Sequence, residues 1–189
     1  MLDTTGIRAA PMPNDMRILL DLHPRKSWES HPGFREKTRN WMAAHLMFRR
    51  LAELVRSETG QYLDRTLEPE AFAARLSRFG NRLVGNLHGH HGWEDFEFFP
   101  ELSAADPRFD RGLELLENDH RDLDTVLDDF TRSANRVIKL IDLDDNATAL
   151  NEAGALLNAA QTIETFLERH LTDEEDLAVP IILQHRLRG

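Results

Sequence analysis

Apolar residues recur along this chain at steps of three and four. Leu76, Phe79, Leu83 and Leu87 form one such series, Leu113, Leu116, Leu123, Leu127 and Phe130 a second, and Ile163, Leu167, Leu177 and Ile181 a third. Trp41, Phe48 and Leu51 share one side of an earlier segment in the same way. Such spacing puts side chains on one face of an α-helix, whereas a half-buried strand would alternate with period two, and no convincing alternation bounded by turns occurs. The pattern predicts four long helices, over about Phe34 to Ser57, Pro69 to Phe99, Asp110 to Leu140 and Ala147 to Gln184. Pro69 suits the first position of the second helix, where its missing N–H leaves no bond unmade. The QYLDRTLEP stretch, the Asp106-Pro107 step and the acidic IDLDDN stretch are the expected connections. Residues 1–33 are rich in proline, with two His-Pro steps, and read as an arm with a short helix near Asp15 to Leu22. The expectation is an all-α protein: an N-terminal arm, residues 1–33, and an up-down-up-down four-helix bundle, residues 34–189.

Each stripe contains a histidine where a core residue is expected. His45 continues the first, His90 the second, His120 the third and His170 the fourth. Glu94 and Glu174 follow on the same faces, each four residues beyond a histidine. The two halves also repeat. His90, Glu94 and Pro100 return as His170, Glu174 and Pro180, and Leu83 and Leu87 as Ile163 and Leu167, all displaced by 80 residues. The chain reads as two helical hairpins of related design. Each opens with a helix bearing one inward imidazole and closes with one bearing His-x-x-x-Glu.

Residues four apart on a helix lie one above the other, so His-x-x-x-Glu aims an imidazole and a carboxylate at one point. Four helices facing inward would gather four imidazoles and two carboxylates: His45, His90, Glu94, His120, His170 and Glu174. A carboxylate has two oxygens and can bridge two cations, so the set suits a dinuclear centre with a bridging oxide or hydroxide. Burying an unpaired carboxylate costs several kcal/mol, a large part of a stability of roughly 5–15 kcal/mol. A bundle without ligands would be better served by leucine. Nitrogen and oxygen donors without thiolate admit iron, manganese or zinc. Taken singly, a helical His-x-x-x-Glu is most often a surface pair, and a lone core histidine is most often hydrogen-bonded. The four-fold coincidence favours metal.

LHGHHGWEDFEFFP, residues 87–100, holds two competing pairs, His90/Glu94 and His91/Asp95. Only the first continues the Leu83–Leu87 stripe and has a histidine counterpart 80 residues on. His88, His91 and Asp95 are therefore expected beside the ligands or at the surface. His23, His31 and His185 lie in the arm or near the C-terminus and are expected to have no ligand role.

Composition narrows the partners. The chain has no cysteine, which removes disulfides, thiolate metal sites and thiol nucleophiles. Its formal net charge is −10 with no dense basic run, so neither nucleic acid nor an anionic membrane is an expected partner. No signal-peptide layout opens the sequence, and a cytoplasmic location is expected.

These motifs resemble the hemerythrin-like, or HHE cation-binding, family. An inward His45 is followed by His90 to Glu94 with Phe99-Pro100, then His120, then His170 to Glu174-Glu175 with Val179-Pro180, over about residues 36–184. The resemblance implies a four-helix bundle with a non-haem centre of two iron ions bridged by Glu94 and Glu174. It also implies a small diatomic ligand such as oxygen or nitric oxide, or peroxide, and a task of binding, sensing or oxidoreductase catalysis. Two departures stand out. Oxygen carriers of the family have a second histidine four residues after the third-helix one, where this chain has Asp124, so a fifth imidazole is missing; this speaks against simple oxygen carriage and suits an open position for a substrate. The carriers also set the last carboxylate five residues after its histidine, at Glu175 here, whereas the repeat favours Glu174. A ferritin-like centre would need Glu-x-x-His on two helices, and only Glu117 and His120 have that spacing. A metal-independent module using the arm for a protein partner has the least support.

Overall fold

Four long helices form a ring, each packed on two neighbours. The computed structural model describes residues 7–187; the first six residues of the expected arm and residues 188–189 of the expected bundle lie outside the described residues. Helix α1 spans Glu36–Leu63, α2 Pro69–Trp93, α3 Phe99–Ala105, α4 Asp110–Asp142 and α5 Asn146–His185. Helix α1 packs against α2 and α5, and α4 closes the ring against the same two. Short connections between neighbours give the up-down-up-down order, and no strand occurs among the described residues. None of the helices is long and apolar enough to cross a membrane.

Three boundaries differ from the sequence expectation. Helix α1 runs on through Gln61, Tyr62 and Leu63, because Tyr62 is buried and stacks on Phe72 of α2 at 4.4 Å. The second long helix does not stay regular to Phe99. After Trp93 it passes through a π-helical stretch, Glu94–Phe98, in which the Phe99 N–H reaches back five residues to the Glu94 carbonyl. Pro100 begins the next turn without an N–H to give, so the ladder is already interrupted there. Its counterpart Pro180 lies inside an unbroken α5, so the 80-residue repeat holds in the ligand motif and fails in the backbone after it. The helix expected near Asp15 to Leu22 is instead two single 3₁₀ turns, Asn14–Met16 and Ile18–Leu20.

Two apolar clusters fill the molecule. One joins Phe48, Leu83, Leu87, Leu123, Leu127, Leu167 and Leu171 and extends to Tyr62 and Phe72. The other joins Trp41, Phe98, Phe99, Leu116 and Leu177. The arm belongs to the second: Met12, Leu19 and Trp28 are buried in it. Positions 45, 90–94, 120 and 170–174 fall between the two clusters along their helices. The site is a polar layer between two apolar ones.

Candidate metal centre

His45, His90, Glu94, His120, His170 and Glu174 meet in that layer, and His91 joins them. The donor atoms form two groups. His45, His90, Glu94 and Glu174 make one, and His91, His120 and His170 the other, with the atoms of each group within 4.8 Å of one another. Glu94 connects them. Its Oε1 lies 2.9 Å from His90 Nε2 and 3.9 Å from His45 Nε2, while its Oε2 lies 3.9 Å from His120 Nε2. Glu174 also stands between, its Oε2 being 3.5 Å from His45 Nε2 and 3.8 Å from His170 Nε2.

Why one helix serves both groups follows from its geometry. Successive residues on an α-helix are about 100° apart. His90 and His91 therefore point to either side of the line toward the bundle axis. Glu94, one turn on, is four residues from the first and three from the second, so it rises between them. The expectation for His91 changes accordingly. It is 3% exposed, stacks on His120 at 4.0 Å, and has no hydrogen-bond partner on either ring nitrogen. Asp124 does not face the cluster; it is exposed and pairs with exposed His88 at 3.4 Å. The third imidazole beside His120 and His170 thus comes from α2, not from α4.

The imidazoles are oriented from outside by carboxylates. His120 Nδ1 donates to Asp95 at 2.7 Å, His45 Nδ1 to Glu175 at 3.1 Å and His170 Nδ1 to Asp119 at 3.3 Å. An ionised carboxylate only accepts, so the proton sits on Nδ1 and each Nε2 lone pair is left for the cluster. This carboxylate–imidazole arrangement is how proteins aim histidines at metal ions. Asp95 thus lies beside a ligand candidate, as expected. Glu175 has turned to the back of His45, and Glu174 occupies the cluster.

Burial and charge divide the groups further. Asp173, Glu174, Glu175 and Asp176 are four consecutive acids, all buried. Asp173 pairs with Arg8 at 2.7 Å, Glu175 with Arg25 at 2.8 Å and Arg49 at 2.9 Å, and Asp176 with Arg17 at 2.9 Å and Arg25 at 2.6 Å. Among the described residues no arginine or lysine pairs with Glu174, and both of its oxygens are without a hydrogen-bond donor. Burial, then repulsion from Glu94 and Glu175, holds its carboxyl well above the usual range. Glu94 is pushed upward by burial too, but its interactions with the His45 and His90 imidazoles hold it well below the usual range. Trp41 Nε1 donates to it as well, at 2.6 Å. Burial lowers His91 well below an ordinary imidazole, with His120 and His170 adding to the effect, and brings His170 to about 4. Burial pushes Glu175 upward, but His45 and the arginines outweigh it and bring the carboxyl down to about 2.

The donors fit a cation. The buried polar atoms without a partner include Glu94 Oε2, His120 Nε2, His170 Nε2, both oxygens of Glu174 and both nitrogens of His91. They converge on one layer. Such atoms are costly unless something binds them. His45 Nε2 and His90 Nε2 are 3.0 Å apart, close to the separation of two donors meeting one ion at right angles with bonds of about 2.1 Å.

Sequence reasoning missed His91 and the arm. His91 carried a signal, since an adjacent histidine pair on a helix can serve two sites, but the stripe rule admits one face only. Arg8, Arg17 and Arg25 carried none, because their acidic partners lie more than 100 residues away. His23 Nε2 is 3.0 Å from Gln184 Oε1, His31 Nδ1 accepts from Gly33 N–H, and His185 Nε2 donates to Asp106 at 2.9 Å. None of the three is in either cluster.

An imidazole–carboxylate cage between the helices of a four-helix bundle defines a metal-binding bundle. The chain belongs to the hemerythrin HHE cation-binding domain family, whose model matches residues 36–182. No curated protein and no solved structure matches it.

Proposed function

We propose that this protein holds two iron ions, bridged by Glu94 and Glu174, and binds or senses oxygen or another small diatomic molecule. One ion would rest on His45 and His90, the other on His91, His120 and His170. The observation that carries this reading is Glu174. Among four consecutive buried acids, three are neutralised by arginines and this one stands among six other ligand-type residues with no arginine or lysine paired to it among the described residues. Manganese or zinc would suit the same donors. Iron is favoured by the family and would supply affinity for diatomic ligands and one-electron chemistry.

The protein's own groups have separate tasks. Asp95, Glu175 and Asp119 keep protons on Nδ1 of His120, His45 and His170, so that Nε2 is free to coordinate. Trp41 and Phe98 seal one side and Phe48 packs on His90, which keeps bulk water from the layer. His91 supplies the fifth imidazole that position 124 lacks. A bridging oxide or hydroxide would balance part of the charge of two cations against two carboxylates.

The test is anaerobic loading of the metal-free protein with ferrous iron, then exposure to oxygen and return to vacuum. Two irons per chain and a visible absorption that appears with oxygen and fades on its removal are expected. Fewer than one metal per chain and a colourless product would end the reading. Sustained consumption of peroxide or nitric oxide by the loaded protein would move it to an oxidoreductase.

A further inference from the structure

Metal ions must reach a layer that both apolar clusters and the arm enclose. On the arm side one depression has Arg8 and Arg169 as its charged residues, and the next mixes Arg17 and Arg169 with Glu164, Glu168 and Asp173. On the opposite side, between α2 and α4, a cavity of about 390 Å³ opens to solvent. Its rim carries His88, Asp124 and Asp128, and its inner wall is His91 and His120. The charged residues lining it are all acidic, Asp95, Asp124 and Asp128. His91 is 3% exposed with both nitrogens unpartnered, and His120 Nε2 is likewise unpartnered.

We infer that this cavity is the entry port for the divalent cation, captured first by His88, Asp124 and Asp128 at the rim and handed inward to His91 and His120. The inference rests on the reading of the cluster as a metal centre and adds its route of loading. A mouth of one charge with low-dielectric walls concentrates the opposite charge and raises association rates by factors of roughly 10–10³. His88 and Asp124 are already 3.4 Å apart, offering a nitrogen and an oxygen to an ion that still keeps most of its water. On the arm side, Asp173 is already bound to Arg8 and Asp119 to Arg8 and Arg169, so these carboxylates are not free to capture the ion. Position 124, where the family's oxygen carriers have a ligand, would here serve the approach and not the final cage.

The test is the rate at which cobalt(II), followed by its visible absorption, fills the metal-free full-length protein in stopped flow. The Asp124→Asn/Asp128→Asn pair is expected to slow loading about tenfold at low ionic strength. The difference should shrink as salt is added, and the final number of cobalt ions per chain should be unchanged. A control pair of equal charge, Asp142→Asn/Asp144→Asn at the end of α4 and in the turn after it, should load as the wild type does. Gly92→Phe supplies a steric arm. Gly92 lines the cavity and a Cβ there meets nothing within 4 Å, so a side chain can start there without a clash; loading should slow by a factor that salt does not change. Unaltered rates in the acidic pair and in Gly92→Phe, with cobalt still bound, would overturn the port while leaving the centre in place. Equal slowing in the control pair would overturn it too, by tracing the effect to net charge. A wild-type protein that binds no cobalt and no iron would defeat the metal reading and the port together.

Discussion

Glu174 lies at 0% exposure between two imidazoles, with no arginine or lysine paired to it among the described residues. In the metal-free protein such a group lowers stability, since an ionised carboxylate pays for desolvation and a protonated one for its unmade hydrogen bonds. Glu174→Leu should therefore raise the stability of the metal-free protein by about 1–4 kcal/mol, read from urea unfolding, and lower bound metal to fewer than two ions per chain. A variant that is less stable without metal and still binds two ions would show the carboxylate to be structural. The six residues first singled out were legible because helical spacing ties each to an apolar stripe. His91 was not, because its neighbour His90 already occupied that stripe. Two adjacent side chains both face inward only where the buried face is wide, and that width is set by the neighbouring helices.

At the level of elements, the helices were legible and their attachments were not. Periodicity places α1, α2, α4 and α5 within a few residues, except where burial of Tyr62 extends α1 and the π-helical stretch follows Trp93. The arm is the larger omission. Its proline content reads as an appendage, yet Met12, Leu19 and Trp28 are core residues and three of its arginines meet buried acids of α4 and α5. Arg8 pairs with both Asp119 and Asp173, acids that are at most 2% exposed. Breaking a fully buried pair costs about 3–5 kcal/mol; Arg8 is partly solvated and Arg169 also reaches Asp119, so Arg8→Ala should cost about 2 kcal/mol. Chemical unfolding of the metal-free variant measures this. A change under about 0.5 kcal/mol would place the pair with weak surface ion pairs.

For the whole molecule, the stacking of apolar cluster, polar layer and apolar cluster decides how metal and fold depend on each other. The clusters hold the helices without an ion, so the metal-free protein is expected to keep its far-ultraviolet helical signal. The ion adds stability because it binds the native donors far better than the unfolded ones. With free metal at about a thousand times the dissociation constant the gain is about 4 kcal/mol, and for a chain of this size that raises the melting temperature by about 8–16 °C. Calorimetry with and without chelator checks both parts. Loss of helix on chelation would mean that the ion is required to fold. The bundle class was readable from sequence for the same reason: local periodicity dictates helices, and short loops leave few ways to pack four of them. Which side of the bundle is open was not readable, since it depends on where α2 and α4 part.

The clamp between the arm and α5 has one further consequence, for the time at which the cage can close. Arg8 and Asp173 are 165 residues apart, and Arg25 and Asp176 are 151. During synthesis the arginines emerge first and must wait for nearly the entire chain before their partners exist. Through that interval α1, α2 and α4 can pair locally, while His170, Glu174 and the carboxylate that orients His45 are still to come. A nascent chain therefore passes through a long stage in which five of the seven candidate ligands are present and the cage is not complete. Ordered capture of metal waits for the last helix.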